Sequence, residues 1–231
     1  MLRHTALFLW RDTTRDEQKL AALKGLAYLR YGCPSVREVD FGVDLLGGSA
    51  PMLETKPWER TPLWNARAEG PPSTFDMALH LDFDDQVGLD AYNTDHAHHE
   101  VALYNTSVCR PERTARVDWW YDGPPRGERG GVRHTSLYLW ADEVSEAQKT
   151  EVRDTFSALS QASAGLRSVL VADNVGTLRT DYDVIVDAEL DDLKSAEALL
   201  TSEPFSEALS LAAAVTKYEW TARITHPIRA G

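Results

Sequence analysis

Apolar and polar positions alternate along HTALFLW. Thr5, Leu7 and Leu9 therefore share one face of an extended segment, and His4, Ala6, Phe8 and Trp10 share the other. The period then lengthens: Leu20, Leu23, Leu26 and Ala27 recur at helical spacing, as Val152, Phe156 and Leu159 do later in the chain. Thr14 and Ser145 stand where N-caps belong, with Glu17 and Gln148 three residues on, the spacing of a capping box. Pro34 marks the end of the first helix. Strands follow at about 36–43 and 75–83, a helical segment covers roughly 86–109, and a last strand runs over 114–121. The order β-α-β-β-α-β predicts an α+β, ferredoxin-like unit with both helices on one face of an antiparallel sheet.

The same pattern occurs twice. LRHTALFLWRDTTRDEQK at 2–19 and VRHTSLYLWADEVSEAQK at 132–149 agree at nine of eighteen positions, at an offset of 130. From FDMALHLDFDD (75–85) against YDVIVDAELDD (182–192) the offset is 107, and it stays so for TARVDWW against TARITHP. Copy one thus holds 23 more residues than copy two. Three ordered blocks on two constant offsets imply a tandem duplication. The expected organisation is a first unit at 1–122, a linker at 123–131 within DGPPRGERGG, and a second unit at 132–231. The insert, at about 45–74, is rich in Gly and Pro; its Trp58 and Trp64 suggest that it packs down on the unit. Each bare sheet face needs a cover. The two sheets are expected to pack on one another as an intramolecular dimeric α/β barrel.

Charge narrows the partners. A net charge of −12 leaves nothing to neutralise a row of phosphates or to attract an anionic membrane. Met1 to Trp10 is too short to span a bilayer and is followed at once by Arg11, Asp12 and Arg15, so a cytoplasmic chain without a signal segment is expected. Cys33 and Cys109 lack metal or redox spacing and read as two buried thiols in a reducing compartment. No phosphate loop, serine-nucleophile motif or CxxC is present.

RHTALFLW and RHTSLYLW, DEQK and EAQK, CPSVREVDFG, FDMALHLDFDD, AYNTDHAHH and RVDWW, in that order, resemble the stress-responsive dimeric α/β-barrel (Dabb) domain, here as a tandem fusion. The resemblance implies ferredoxin-like sheets that associate into a barrel. The closest characterised chemistry is olivetolic acid cyclase-like: closure of a polyketide by intramolecular aldol condensation, without metal or organic cofactor. By that resemblance Tyr92 and His98 stand where the family has its tyrosine and its histidine base, and Asp118 where it has the aspartate that holds the base. His4 stands where the family has a histidine pointing at the pocket, and Met77 where it has another. With Trp58 and Trp64, these two are the expected substrate contacts. Residue types suit the roles: histidine as base, an acidic partner to fix its tautomer, and a phenol to stabilise the oxyanion.

The family's His-Pro-x-His stretch reads Asp95-His96-Ala97-His98 here. In an unbroken helix Tyr92 and His98 would lie about 240° apart. Asn93, Thr94 and Asp95 are cap-forming types that could restart the helix. His96 and His99 stay open as alternatives to His98. Copy two replaces the trio: Tyr92 becomes Leu199, His98 becomes Phe205 (or Ser206 if Pro204 takes the family proline's place), and Asp118 becomes Thr225. Copy two reads as a scaffold half. His80 and Asp82 share a polar strand face that would line a cavity or the contact between sheets, and His226 is expected to be structural. Asp85 and Asp192 are expected to cap helices. The reading that follows is a cofactor-independent cyclase, with no metal, acting on a small polyketide-like substrate, as a pseudo-dimeric monomer or a homodimer. The alternatives are a non-catalytic stress-responsive binding or assembly protein, and a monooxygenase of the dimeric-barrel type.

Overall fold

The first unit begins with β1 (Leu2–Phe8), whose alternation puts Leu2, His4 and Ala6 on one face and Arg3, Thr5 and Leu7 on the other. Helix α1 (Asp16–Gly32) buries Ala22, Leu26 and Leu29 at helical spacing. Its N-cap is Arg15 rather than the expected Thr14, because the Thr14 hydroxyl is engaged with the Val108 carbonyl at 2.6 Å. Gln18, not Glu17, reaches back to the Arg15 N–H, at 3.0 Å. After β2 (Glu38–Val43) come β3 (Ser73–Thr74), β4 (Met77–Phe83), α2 (Gln86–Asn93), α3 (His96–Val108) and β5 (Ala115–Trp120). These elements belong to a computed structural model that describes residues 1–46, 73–123, 130–161, 164–176 and 181–228. The insert's Trp58 and Trp64 lie outside the described residues.

The second unit repeats the plan: β6 (Val132–Tyr138), α4 (Glu146–Ala158), β7 (Leu166–Asp173), β8 (Val184–Leu190), α5 (Leu193–Leu200), α6 (Glu203–Val215) and β9 (Ala222–Pro227). Ser145 and Gln148 form the expected capping box on α4. Asp85 and Asp192 cap α2 and α5, accepting from the Gly88 and Ser195 N–H groups at 3.0 and 2.8 Å. The strand orders are β2-β4-β1-β5 and β3-β9-β6-β8-β7; apart from the short β3, this is the ferredoxin-like antiparallel order twice over. The chain is therefore α+β, with two ferredoxin-like units in tandem.

Each sheet buries one face under its own helices and the other against its twin. Leu2, Leu79, Leu81 and Phe83 pack under α1, α2 and α3. Val184, Val186 and Leu190 pack under the second set of helices. Leu7, Val117 and Trp119 meet Leu137, Ile185 and Ile224 between the sheets. Two crossings close the barrel. The Leu45 and Phe75 N–H groups donate to the Thr225 and Arg223 carbonyls of β9 (2.7 and 2.8 Å). The Val175 and Tyr182 N–H groups donate to the Asp118 and Arg116 carbonyls of β5 (2.7 and 2.9 Å). The short β3, which the sequence pattern did not announce, runs parallel to β9 and adds to the first crossing.

The space between the sheets also holds polar groups. Arg3 makes a two-pronged ion pair with Asp82, at 2.6 and 2.8 Å. Arg133 meets Asp187 and Glu189 of its own sheet, both at 2.8 Å, and Asp40 of the other at 3.0 Å. His80 and His226 stack across the interface with Nε2 atoms 3.1 Å apart. The polar face of His80 and Asp82 is thus the contact between sheets, and His226 is part of the core.

Candidate functional site

The helix over 86–109 is broken. Asp95 takes an extended conformation (φ −72°, ψ 137°) and its carboxylate accepts from the Ala97 N–H at 2.8 Å, which restarts the chain as α3. The Asn-Thr-Asp stretch does the work of the missing proline. With the helical phase reset, Tyr92 and His98 do not diverge. Their rings stack at 4.0 Å between centroids, 29° apart in plane. Phe83 and His4 flank Tyr92 at 5.4 and 6.2 Å.

Asp118 is placed by strand pairing. β1 and β5 are antiparallel neighbours in which His4 lies directly opposite Asp118, on the face turned toward the helices. His4 Nδ1 lies 2.6 Å from Asp118 Oδ1. The family resemblance implies Asp118 as the orienting partner of His98; the hydrogen bond is with His4. The signal that could have found it is face parity: His4 and Asp118 both sit on the helix-facing side of their strands. Unit two reinforces the aspartate, because the Asp118 N–H donates to Asn174 Oδ1 at 2.8 Å.

His4, Tyr92 and His98 line a cavity of about 170 Å³ between sheet and helices, walled by Leu26, Leu29, Leu79 and Val101; Asp118 holds His4 but is not among the lining residues. Thr106, Pro111, Thr114 and Arg116 form a solvent-reaching rim. Met77 is fully buried in the helix–sheet core and is not among the lining residues. His96 is exposed beside Glu100, and His99 bonds the Asn93 carbonyl at 2.9 Å. Of the three neighbouring histidines, His98 is the one in the cavity wall.

Burial, helped by the nearby His4 and His99, lowers His98 to about 4, so its ring is neutral at neutral pH. Its buried Nδ1 has no hydrogen-bond partner among the described residues. Burial, then the charges of Cys33, Asp118 and Asp95, pushes Tyr92 far above the ordinary phenol value, so it stays a neutral donor. Cys109 also lines the cavity; burial and then Asp76 raise its thiol to about 12, so it is not a thiolate nucleophile. What remains is a histidine–carboxylate pair. With Nδ1–H given to Asp118, Nε2 of His4 is the nitrogen free to exchange a proton.

Unit two shows the same frame without these options. His134 is fully engaged: Nδ1 meets Thr225 Oγ1 at 2.8 Å and Nε2 meets Ser136 Oγ at 3.1 Å. Its pKa falls to about 3 through burial first and then the Arg223 charge. Phe205 stands edge-on to it at 6.0 Å, and Leu199 is buried where unit one has Tyr92.

Solved structures share this fold. An anthrone oxidase-like protein matches 98% of this chain and 90% of its own, with 11% identity and a TM-score of 0.65. A protein described as a monooxygenase by inference, from Fusobacterium nucleatum subsp. nucleatum, matches 99% of this chain and 90% of its own, with 8% identity and a TM-score of 0.53. The structural neighbours are ferredoxin-like dimeric α/β-barrel proteins. At such identities the likeness is one of fold. No family profile matches the chain, and no curated protein is similar to it in sequence. Among the described residues no helix is long and apolar enough to cross a membrane.

Proposed function

We propose that this chain is a Dabb-type catalyst of proton transfer at carbon: a cofactor-independent cyclase that closes a short polyketide-like carbonyl compound by aldol-type chemistry in unit one. His4, on the wall of the cavity and held by Asp118 at 2.6 Å, carries this reading. His4 replaces His98 as the base, because His98 has no carboxylate partner among the described residues and is held near 4. In the proposed cycle Nε2 of His4 takes the proton from carbon next to a carbonyl. The enolate oxygen accepts a hydrogen bond from Tyr92. The enolate carbon then bonds to a second carbonyl carbon, whose oxygen takes the proton back from His4. His98 stacks on Tyr92 and fixes the phenol. A cavity of ~150 Å³ accommodates a benzene ring, so a one-ring substrate suits this site better than a long chain.

The test is deuterium exchange at the α-carbons of small ketones and β-keto thioesters in D₂O, followed by NMR. His4→Ala should lower exchange by about 10²–10⁴-fold. Exchange no faster than that of the His4→Ala protein, for every compound, would reject catalysis. Saturable binding without exchange would then leave the binding-protein reading. Oxygen uptake, recorded in the same reactions, tests the oxygenase chemistry named for the structural neighbours.

A further inference from the structure

Asn105 is a polar residue whose presence the fold does not explain. It lies on α3, is 5% exposed, and lines the cavity. Its side-chain oxygen is buried without a hydrogen-bond partner among the described residues. Burying an unpaired amide oxygen opposes folding. Unit two shows that the unit does not need one. At the same offset that pairs Tyr92 with Leu199, Asn105 pairs with Ala212, which is fully buried in the twin core.

Position on the helix gives the amide a geometry. Asn105 follows His98 by seven residues, two turns along the same face, so the two are about 10 Å apart along the axis. Val101 and Ala102 line the cavity between them. The cavity is therefore polar at both ends and apolar in the middle, with His4, Tyr92 and His98 at one end and Asn105 at the other. Arg116 at the rim faces Asp181 at 3.8 Å, so its charge is already countered there.

We propose that Asn105 selects the substrate: its carboxamide hydrogen bonds an uncharged polar group, a hydroxyl or a carbonyl, at the end of a one-ring molecule opposite the reacting carbonyl. An amide carries no charge, so it suits a neutral group rather than a carboxylate or phosphate. The inference rests on the cavity being a substrate pocket, as proposed above, but its readout does not depend on turnover.

The test is binding of 4-hydroxyacetophenone and 4-methylacetophenone to the full chain, by NMR titration. The two probes have the same shape and differ by a hydroxyl for a methyl at the far end. The wild-type protein should favour the hydroxyl probe about fivefold to tenfold, the worth of one ordinary hydrogen bond. Asn105→Ala should erase the preference by weakening the hydroxyl probe alone. It should not lower Tm, since unit two folds with alanine there; a residue with a structural role would lower it. His4→Ala should lower exchange yet keep the hydroxyl preference, so failure of catalysis and failure of selection are separable. Equal affinities in the wild type, a preference that survives Asn105→Ala, equal weakening of both probes, or no binding of either would overturn the proposal.

Discussion

His4 and Asp118 stand opposite one another on neighbouring strands, Nδ1 to Oδ1 at 2.6 Å, because the register of β1 against β5 makes them partners. A contact fixed by sheet register is rigid. The aspartate is held further by Asn174 of the other unit at 2.8 Å, so the fusion of two units also supports the site. The arrangement sets the imidazole tautomer with the proton on Nδ1 and leaves Nε2 to accept one.

Asp118→Asn keeps the shape of that contact and reverses its logic. The carboxamide can offer N–H to Nδ1, which favours the wrong tautomer and places the proton on Nε2. The exchange rate should fall on the order of 10²–10⁴-fold with little change in Tm. ¹⁵N NMR of the His4 ring should show the tautomer switch. Wild-type exchange in the variant would remove Asp118 from the mechanism.

His98→Phe installs the residue that unit two carries at the same place, Phe205. It removes a buried ring nitrogen with no partner and retains an aromatic face against Tyr92. The variant should match or exceed the wild-type Tm, and should lose less exchange activity than His4→Ala. A greater loss than His4→Ala would return the base role to His98. In the wild type, the His98 resonances should titrate with a midpoint near 4.

The local features of the site could be read from the sequence; its long-range pairings could not. Alternation along HTALFLW put His4 on the face that proved to line the cavity, and Asn93-Thr94-Asp95 held the break that brings Tyr92 to His98. Both signals lie within a few residues. The His4–Asp118 contact depends on which strand flanks β1 and in what register, across 114 residues. The His80–His226 pair spans 146 residues. Composition carries no information about such pairings, and an internal repeat shows only that both units solve the same problem. The resemblance implies Asp118 as the partner of His98, whereas the hydrogen bond runs to His4.

Acid should destabilise the fold before the carboxylates protonate. His80, His98, His134 and His226 all have pKa values lowered in the fold, chiefly by burial. The unfolded chain takes up protons at these positions as pH drops through about 6.5, while the folded chain refuses them until about 4 at His98 and about 3 at His134. Their contribution is complete above the unfolded value and is lost as pH falls toward the folded values. The urea midpoint should be lower at pH 5 than at pH 7.5. An equal or higher midpoint at pH 5 would contradict the neutral state of these rings.

Arg133→Met should be among the most damaging single changes. The guanidinium is fully buried between Asp187, Glu189 and Asp40, the last from the other unit. Methionine leaves these carboxylates without the Arg133 cation in a buried interface. Breaking a buried ion pair from one side typically costs about 3–5 kcal/mol, which for a chain of this size lowers Tm by roughly 10 °C. Thermal unfolding of the variant against wild type measures it. A fall of only a degree or two would mean that water or rearrangement already screens the cluster.

The tautomers of the buried histidine pair follow from its hydrogen bonds. The Pro227 carbonyl can only accept, so His226 Nδ1, 3.0 Å away, carries the proton. His226 is held neutral by burial, so its Nε2 must accept. The donor 3.1 Å away is then His80 Nε2–H. His80 is neutral for the same reason, which makes its Nδ1 the acceptor of the Thr5 hydroxyl at 3.0 Å. Thr5 in turn accepts from the Trp119 indole N–H at 3.1 Å, and the indole can only donate. Every donor in this chain has one acceptor, and the direction is the same throughout. ¹⁵N NMR should therefore find His226 protonated on Nδ1 and His80 on Nε2 at neutral pH. Thr5→Val deletes the hydroxyl between indole and imidazole, leaving both buried groups without that partner. It should cost about 1–3 kcal/mol although valine fits the strand well. A neutral result for Thr5→Val, or the opposite tautomers, would show that the pair is not locked by this chain of donors.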